Sequence, residues 1–247
     1  ANYLKTLRIN NNFFHSLSFD TISAFGKNAA LPHYRVNKLS NTDFKMNNIY
    51  LVDSGAQYYD GTTDITRTII LGIPTDEQKD RFTRVLKGHI ALTSHIFKKG
   101  TKGTEIDYLA RESLNEIGCD YDHGTGHGIG SFLSVHEPPQ RIAKSSMFES
   151  SELLKGMILS NEPGYYKLNE YGIRIENLVL VRENDNDLLF FENLSWCPID
   201  RDLINKDLLN EKETQWINQY HKKVFVKLST YLNHKEKKWL ELATEPL

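Results

Sequence analysis

The spacing of hydrophobic residues predicts a chain that alternates between strands and helices. Aliphatic and β-branched residues are concentrated in residues 49–53 and 64–71, on either side of a turn-rich stretch that contains Asp60-Gly61. This pattern is typical of an antiparallel hairpin. Residues 157–160 and 172–181 also have the composition of strands. We therefore expect several short strands that pair mainly in antiparallel fashion.

Helical spacing prevails in three other stretches. Thr75 and Gln78 have the spacing of a capping box, and apolar residues follow at helical intervals as far as Phe97. A second helix is predicted from Thr104 to Gly118, and a third over residues 211–232. Helices combined with mainly antiparallel strands predict the α+β class.

Composition limits the classes of function that need consideration. The 247 residues are 39% hydrophobic and carry a formal net charge of −2, as expected for a globular chain with one large core. The absence of a basic stripe argues against nucleic acid or an anionic membrane as the main partner. Neither a repeat nor a Pro/Gly/Ser-rich linker interrupts the sequence, so residues 1–247 are expected to form one domain.

Two further features indicate the context of this domain. The chain begins at Ala1 rather than Met, and we expect it to be the C-terminal domain of a longer protein. Cys119 and Cys197 are the only cysteines. A small secreted scaffold would hold more, so free thiols in the cytoplasm are the simpler interpretation, and a disulfide between these two residues stays open.

Candidate chemistry first appears at the ends of the predicted hairpin strands. Asp53 ends the first strand and Asp64 begins the second. Antiparallel pairing across this separation is expected to return both carboxylates to the same end of the hairpin. An Asp at a strand end is more often a turn cap, so neither residue alone predicts a metal site.

Three more residues extend the set of candidate ligands. His127 lies among glycines that would expose its ring, and Glu162 precedes Pro163-Gly164. Glu176 is predicted to lie in mid-strand, with Arg174 on the same face. Glu176 could simply pair with Arg174, but a buried cluster of charges needs partners that divalent cations would supply.

The order Asp, Asp, His, Glu, Glu in these local contexts resembles a known family. Residues 53–57, 60–68, 123–130, 161–166 and 172–177 closely resemble aminopeptidase P, or Xaa-Pro aminopeptidase, of the pita-bread metallopeptidases. The resemblance extends from about residue 14 to residue 247. It implies an α+β pita-bread fold with a curved, mainly antiparallel sheet flanked by helices.

The resemblance also implies a two-metal centre. Asp53 would hold one ion, His127 and Glu162 the other, and Asp64 and Glu176 would bridge the two. A site of four carboxylates and one imidazole suits Mn²⁺ better than a thiolate-based zinc site would, although cobalt or zinc stays open.

Five residues outside the bridging pair receive roles from the same resemblance. Glu162 would carry a proton to the leaving proline nitrogen, and His136 would stabilise the developing oxyanion. His33 and His136 would line the proline side of the cleft, His123 would lie next to the site, and Arg174 would orient a ligand. The implied substrates are peptides with proline at position two.

Two alternatives from other classes remain. A methionine aminopeptidase or a prolidase would use the same fold and a similar ligand pattern. A metal-free interaction protein on this fold would have no need of all five ligands. A homodimer, and upstream domains that contribute to the substrate wall, also stay open.

Overall fold

The computed structural model describes residues 1–144 and 151–247. Within these residues the chain combines helices with antiparallel sheets, which confirms the α+β class. The α-helices are α1 (Asn2–Ile9), α2 (Asp76–Thr93), α3 (Gly103–Ile106), α4 (Tyr108–Asn115), α5 (Glu211–Leu228) and α6 (His234–Ala243). None of the helices in the described ranges has the length and hydropathy needed to cross a membrane.

The strands of the predicted hairpin, β3 and β6, pair in a three-stranded sheet with the order β2-β3-β6, so β3 is the central strand. A second small sheet has the order β1-β4-β5, in which β4 and β5 come from the connection between β3 and β6 and β1 precedes β2 in the chain. The strands are β1 (Phe14–Leu17), β2 (Ile22–Phe25), β3 (Asn48–Ser54), β4 (Ala56–Tyr58), β5 (Gly61–Thr62) and β6 (Ile65–Leu71). In the β3/β6 register Asp53 pairs with Thr66, so Asp64 emerges one residue before β6, at the same end.

A larger sheet of six strands has the order β7-β14-β13-β10-β8-β9, and β11 pairs with β12 beside it. The strands of the larger sheet are β7 (Ile96–Phe97), β8 (Gly126–Gly128), β9 (Glu137–Ile142), β10 (Ile158–Asn161), β13 (Asn177–Glu183) and β14 (Leu189–Asn193). The two remaining strands are β11 (Gly164–Lys167) and β12 (Tyr171–Arg174).

The two larger of three hydrophobic clusters found in the described residues hold these layers together. The larger cluster joins α2, α4, α5 and α6 to the strands through residues such as Phe82, Leu114, Ile173 and Ile217, all of which are buried. The second cluster packs the C-terminal half of α2 and the short helices against the six-stranded sheet. Burying apolar faces of helices against sheets is the main stabilising term of such a layered domain.

The first helix predicted from the sequence corresponds to α2, and its prediction is confirmed at the start and wrong at the end. Thr75 and Gln78 form the capping box, with Gln78 N–H donating to Thr75 Oγ1. The helix ends at Thr93 instead of continuing through Phe97. Residues 96–97 form β7, where the buried Phe97 ring packs 5.0 Å from the ring of Phe191. Burial of Phe97 in the second core therefore outweighs continuation of the helix.

Two other predicted helices differ from the structure in their extent. Residues 104–118 are divided into α3 and α4 at Asp107, whose buried carboxylate accepts hydrogen bonds from Arg111 and Thr125. Gly118 adopts a positive φ of 69°, which ends this helical region as predicted. The last predicted helix, over residues 211–232, ends at Leu228 and is followed by a 3₁₀ turn.

The prediction of one strand over residues 172–181 is also wrong in part. The segment contains β12 and β13, which are separated at Ile175 and Glu176. The break occurs because β12 pairs with β11 whereas β13 pairs with β10, so the chain passes between two sheets at this point. Glu176 therefore lies at a junction of sheets rather than in mid-strand.

Candidate metal centre

A cavity of about 500 Å³ collects the polar residues that the sequence singled out. The five candidate ligands all line it, as do the three histidines and the arginine assigned to substrate or catalysis. These residues are Asp53, Asp64, His127, Glu162, Glu176, His33, His123, His136 and Arg174. The structure brings every one of these side chains to one place.

The two aspartates reach the cavity through the pairing of β3 with β6. Asp53 is the penultimate residue of β3 and is buried. Asp64 immediately precedes β6 and is also buried. Because the antiparallel register brings these positions to one end of the sheet, two acidic groups share a region of low solvent access.

His127 reaches the same region because glycines flank it on both sides in β8. A Cβ on Gly126 would lie 2.1 Å from Ser160 O, and one on Gly128 would lie 2.1 Å from Glu137 O. Only glycine permits this close approach of the neighbouring strands. The His127 Nδ1–H donates to Gly128 O at 3.0 Å, which directs Nε2 towards Asp64 Oδ2 at 3.4 Å and Glu162 Oε1 at 3.3 Å.

Glu162 follows β10 and is held by a serine in that strand. Ser160 Oγ donates a hydrogen bond to Glu162 Oε1 at 2.9 Å. Ser160 Oγ also accepts a hydrogen bond from the backbone N–H of His127 at 2.9 Å. One hydroxyl therefore connects the glutamate to the strand that carries the histidine. Such outer contacts fix the direction of groups that bind a metal.

Glu176 is held by a threonine that shares the edge of the hairpin. Thr66 Oγ1 donates to Glu176 Oε2 at 2.7 Å, and Glu176 N–H donates to Thr66 O at 3.2 Å. Arg174 connects this pair to Asp53, because its Nε donates to Thr66 Oγ1 at 3.2 Å and its Nη2 to Asp53 Oδ2 at 2.8 Å. The guanidinium thus holds Asp53 directly and Glu176 through the Thr66 hydroxyl.

Burial makes ionisation of this carboxylate cluster costly in the protein without metal. Burial raises the pKa of Glu162 to about 7 and raises the pKa of Asp53 and Glu176 as well, with repulsion from neighbouring carboxylates adding to the effect. Burial opposes the charged form of His127, but Asp64 and Glu162 outweigh it and raise the pKa of this imidazole to about 9. The cluster therefore favours bound protons or cations, which offset the negative charge of its carboxylates.

The three other histidines have different environments. His123 Nδ1–H donates to Gly124 O, so its Nε2 accepts the hydrogen bond from Tyr166 Oη at 2.8 Å. Burial and then the charge of Arg174 lower the pKa of His123 to about 3, which keeps this ring neutral. His136 is exposed, and its ring centroid lies 4.2 Å from that of His127. His33 is also exposed and lies at the rim after Pro32.

Sequence reasoning missed three side chains that organise the site. Thr66 and Ser160 hold the two glutamates, and Tyr166 accepts a 2.6 Å hydrogen bond from Arg174 Nη1 while bonding His123. A signal was present for Thr66, because it lies two residues after Asp64 and near the same strand end. The directions of the Thr66, Ser160 and Tyr166 side chains depend on contacts between segments that are distant in the sequence, and no local pattern indicates them.

The donor set fits divalent cations. Ligand atoms of Asp64, His127 and Glu176 all lie within 4.8 Å of one another. Asp53 Oδ1 is buried without a hydrogen-bond partner among the described residues, and a buried carboxylate oxygen of this kind is suited to a cation. Oxygen ligands with one imidazole favour hard or borderline metals over those that require thiolates.

Comparison with known families gives matches over almost the entire chain. Residues 1–183 match the metallopeptidase family M24, and residues 187–247 match the C-terminal region of that peptidase. A probable Xaa-Pro aminopeptidase P from Laccaria bicolor is 45% identical over 256 residues, which cover 100% of this chain and 40% of the relative. The corresponding protein of Botryotinia fuckeliana is 46% identical, with 100% and 39% covered. The chain spans about two fifths of the length of these relatives.

Solved structures confirm the predicted pita-bread fold. An X-prolyl aminopeptidase from Caenorhabditis elegans, described as a cytosolic enzyme with a di-nuclear active site, has a TM-score of 0.94 and 40% identity. The match covers 100% of this chain and 42% of that chain. A prolidase from Pyrococcus furiosus has a TM-score of 0.67 and 33% identity, with 79% and 53% covered.

Proposed function

Because the chain belongs to metallopeptidase family M24, we propose that residues 1–247 are the catalytic domain of an Xaa-Pro aminopeptidase. Such an enzyme removes the N-terminal residue of a peptide whose second residue is proline. The observation that carries this proposal is the convergence of the four candidate carboxylate ligands and four histidines on one cavity. The similarity to Xaa-Pro aminopeptidase P over the whole chain favours this activity within the family.

The cavity would hold two divalent ions, and we favour Mn²⁺. Asp53 would bind one ion, His127 and Glu162 the other, and Asp64 and Glu176 both. When bound there, the ions would supply Lewis acidity towards the scissile carbonyl and activation of the attacking water. Arg174 would neutralise part of the remaining negative charge while holding Asp53 and Thr66 in place.

Proton transfer is assigned to Glu162. The scissile nitrogen belongs to proline, a tertiary amide without an N–H, so it must gain a proton before it leaves. Glu162 lines the cavity and is held by the Ser160 hydroxyl, which gives its carboxylate a fixed direction from which to accept and then donate a proton. Its Oε1 would receive the proton of the attacking water and deliver it to the proline nitrogen.

The histidines at the rim would position the substrate. His136 would donate a hydrogen bond to the carbonyl oxygen of the first residue, where negative charge develops. His33 and His136 lie on the open side of the cavity and would contact the proline. His123, held neutral by burial and bonded to Tyr166, would keep the wall of the cavity in shape.

A peptide panel tests the activity. We expect the chain with added manganese to release arginine from Arg-Pro-Pro and to cleave Arg-Ala-Pro slower by orders of magnitude. Equal cleavage of both peptides would overturn the proline specificity. Preferred hydrolysis of Gly-Pro would indicate a prolidase, and preferred hydrolysis of Met-Ala-Ser a methionine aminopeptidase. The same panel run on the longer protein would show whether regions outside this chain complete the site.

We also propose that the domain functions in the cytoplasm. Both Cys119 and Cys197 are free thiols in the structure, as expected in a reducing compartment. The Caenorhabditis elegans relative is described as cytosolic. Fractionation of cells that express the longer protein tests this location.

A further inference from the structure

Arg67 is a buried cation whose hydrogen bonds all go to neutral oxygens. Only 6% of its surface is exposed, and no ion pair is found for it within residues 1–144 and 151–247. A guanidinium has five N–H donors, and burying its charge is costly unless those donors are satisfied. Here they reach two backbone carbonyls near the metal centre and a group of oxygens in the C-terminal region, residues 187–247.

On one side, Arg67 holds the backbone of the pair that carries a proposed bridging ligand. Its Nη1 donates to Thr66 O at 2.8 Å and to Glu176 O at 2.6 Å. Thr66 and Glu176 are themselves joined through Oγ1 and Oε2 at 2.7 Å. The guanidinium therefore holds the backbone carbonyls of the two residues that carry this hydroxyl and this carboxylate. Glu176 lies at the junction of β12 and β13.

On the other side, Arg67 is held by the C-terminal region. Its Nε donates to Pro198 O at 3.0 Å, and its Nη2 donates to Cys197 O at 2.9 Å and to Tyr220 Oη at 2.8 Å. Asn177 Oδ1, next to Glu176, accepts a further bond from Nη2 at 2.8 Å. The Arg67 guanidinium thus connects β6, the β12/β13 junction and α5 through hydrogen bonds.

The Tyr220 hydroxyl is placed by an aromatic stack rather than by Arg67 alone. The Tyr220 ring lies between Trp196, with a centroid distance of 5.7 Å, and Trp216, with a distance of 5.3 Å and nearly parallel planes. This stack is made within the C-terminal region. It holds the ring, so removing the hydroxyl alone should leave the helix packed.

We infer that Arg67 is a positioning residue through which the C-terminal region, by way of Tyr220, fixes Glu176 for metal binding. This inference rests on the proposed role of Glu176 as a bridging ligand. Without the guanidinium, the backbone carbonyls of Thr66 and Glu176 would each lose one donor, and the junction that carries Glu176 would be free to shift. The C-terminal region thus contributes to the metal centre without supplying a ligand.

The test uses conservative variants and calorimetric titration of the metal-free chain with Mn²⁺. Arg67→Lys keeps the positive charge but removes the planar set of guanidinium N–H donors. We therefore expect a roughly 10–100-fold loss of Mn²⁺ affinity, as for other residues that orient a metal ligand. Tyr220→Phe should shift affinity in the same direction by less. In both variants kcat should fall while KM for an Xaa-Pro peptide stays near that of the unmodified chain.

Tyr171→Phe is the matched control. Tyr171 is as buried as Tyr220, but its hydroxyl donates to Glu77 Oε1 at 2.7 Å, at the start of α2. We expect it to lower thermal stability without changing metal affinity or kcat. Equal losses of affinity in Tyr171→Phe and Tyr220→Phe would overturn the inference, as would a folded Tyr220→Phe with unchanged affinity and kcat. If Arg67→Lys does not fold, the two tyrosine variants decide the outcome.

This design separates the inference from the proposed function. If the unmodified chain binds two Mn²⁺ ions but does not favour Xaa-Pro peptides, the proposed activity is wrong. The titrations still judge the role of Arg67 in that case, because they measure metal binding directly.

Discussion

The guanidinium of Arg174 donates to Asp53 Oδ2 at 2.8 Å, so the candidate metal centre contains a buried cation beside its carboxylates. The same side chain reaches Thr66 and Tyr166 with its other nitrogens. An ammonium cannot reproduce this planar set of bonds. The arrangement makes Arg174 a connector among residues that no local pattern joins.

Replacing this arginine by lysine should therefore weaken metal binding while the charge is retained. For Arg174→Lys we expect a loss of Mn²⁺ affinity of roughly 10–100-fold, because Asp53 and Thr66 lose their shared donor. Titration calorimetry measures the loss. Arg182→Lys serves as the control, since Arg182 is exposed and forms an ion pair with Glu192 on the sheet surface. Equal affinities in the two variants would contradict the role of Arg174.

Removal of either proposed bridging carboxylate should release both ions. Asp64→Asn and Glu176→Gln change little in volume but remove a ligand that the two ions share. We expect less than one tightly bound ion per chain in each variant, measured by metal analysis after dialysis. A variant that retains two ions and full activity would show that its residue is not a bridge.

The two neighbouring histidines His127 and His136 should separate metal binding from catalysis. His127→Ala should lose metal and activity together, because Nε2 of His127 points at Asp64 and Glu162. His136→Ala should keep near-normal metal content while kcat falls by about 10²–10³, the usual cost of losing one donor to a developing oxyanion. If His136→Ala strips the ions, or leaves kcat unchanged in a folded protein, the division between the two residues is wrong.

The metal-free protein should lose stability as pH rises through the neutral range. Burial raises the pKa of Glu162 from 4.5 to about 7, so the folded state binds this proton more tightly than the unfolded state does. That stability is present below about pH 4.5 and is lost as pH rises through about 7. The raised pKa of His127, about 9, acts in the same direction at higher pH.

Thermal melts of chelator-treated protein at about pH 5 and about pH 8 measure this trend. Glu162→Gln should make this loss of stability smaller, since the amide does not titrate. Bound metal should reverse it, because ligands must lose protons to coordinate and affinity therefore rises with pH. A melting temperature of the metal-free protein that rises across this range would contradict the prediction.

Much of the local framework could be predicted because its signals are short-range. The capping box at Thr75 marks the start of α2, and the turn around Asp60-Gly61 lies between the strands that carry Asp53 and Asp64. Antiparallel pairing then places both aspartates at one end of the sheet without further information. Likewise, glycines on both sides of His127 predict close backbone approach, which the structure shows at β8.

The sequence by itself thus determined which residues are candidates for the site and, for the hairpin, how two of them meet. The tertiary structure alone decided that α2 ends at Thr93, and that the strand over residues 172–181 divides at Glu176. It also decided that Arg67 joins Glu176 to Tyr220. The physical reason is that these outcomes depend on burial and hydrogen bonding between segments far apart in the chain. Such partners leave no local periodicity, because each side chain takes its direction from the element packed against it.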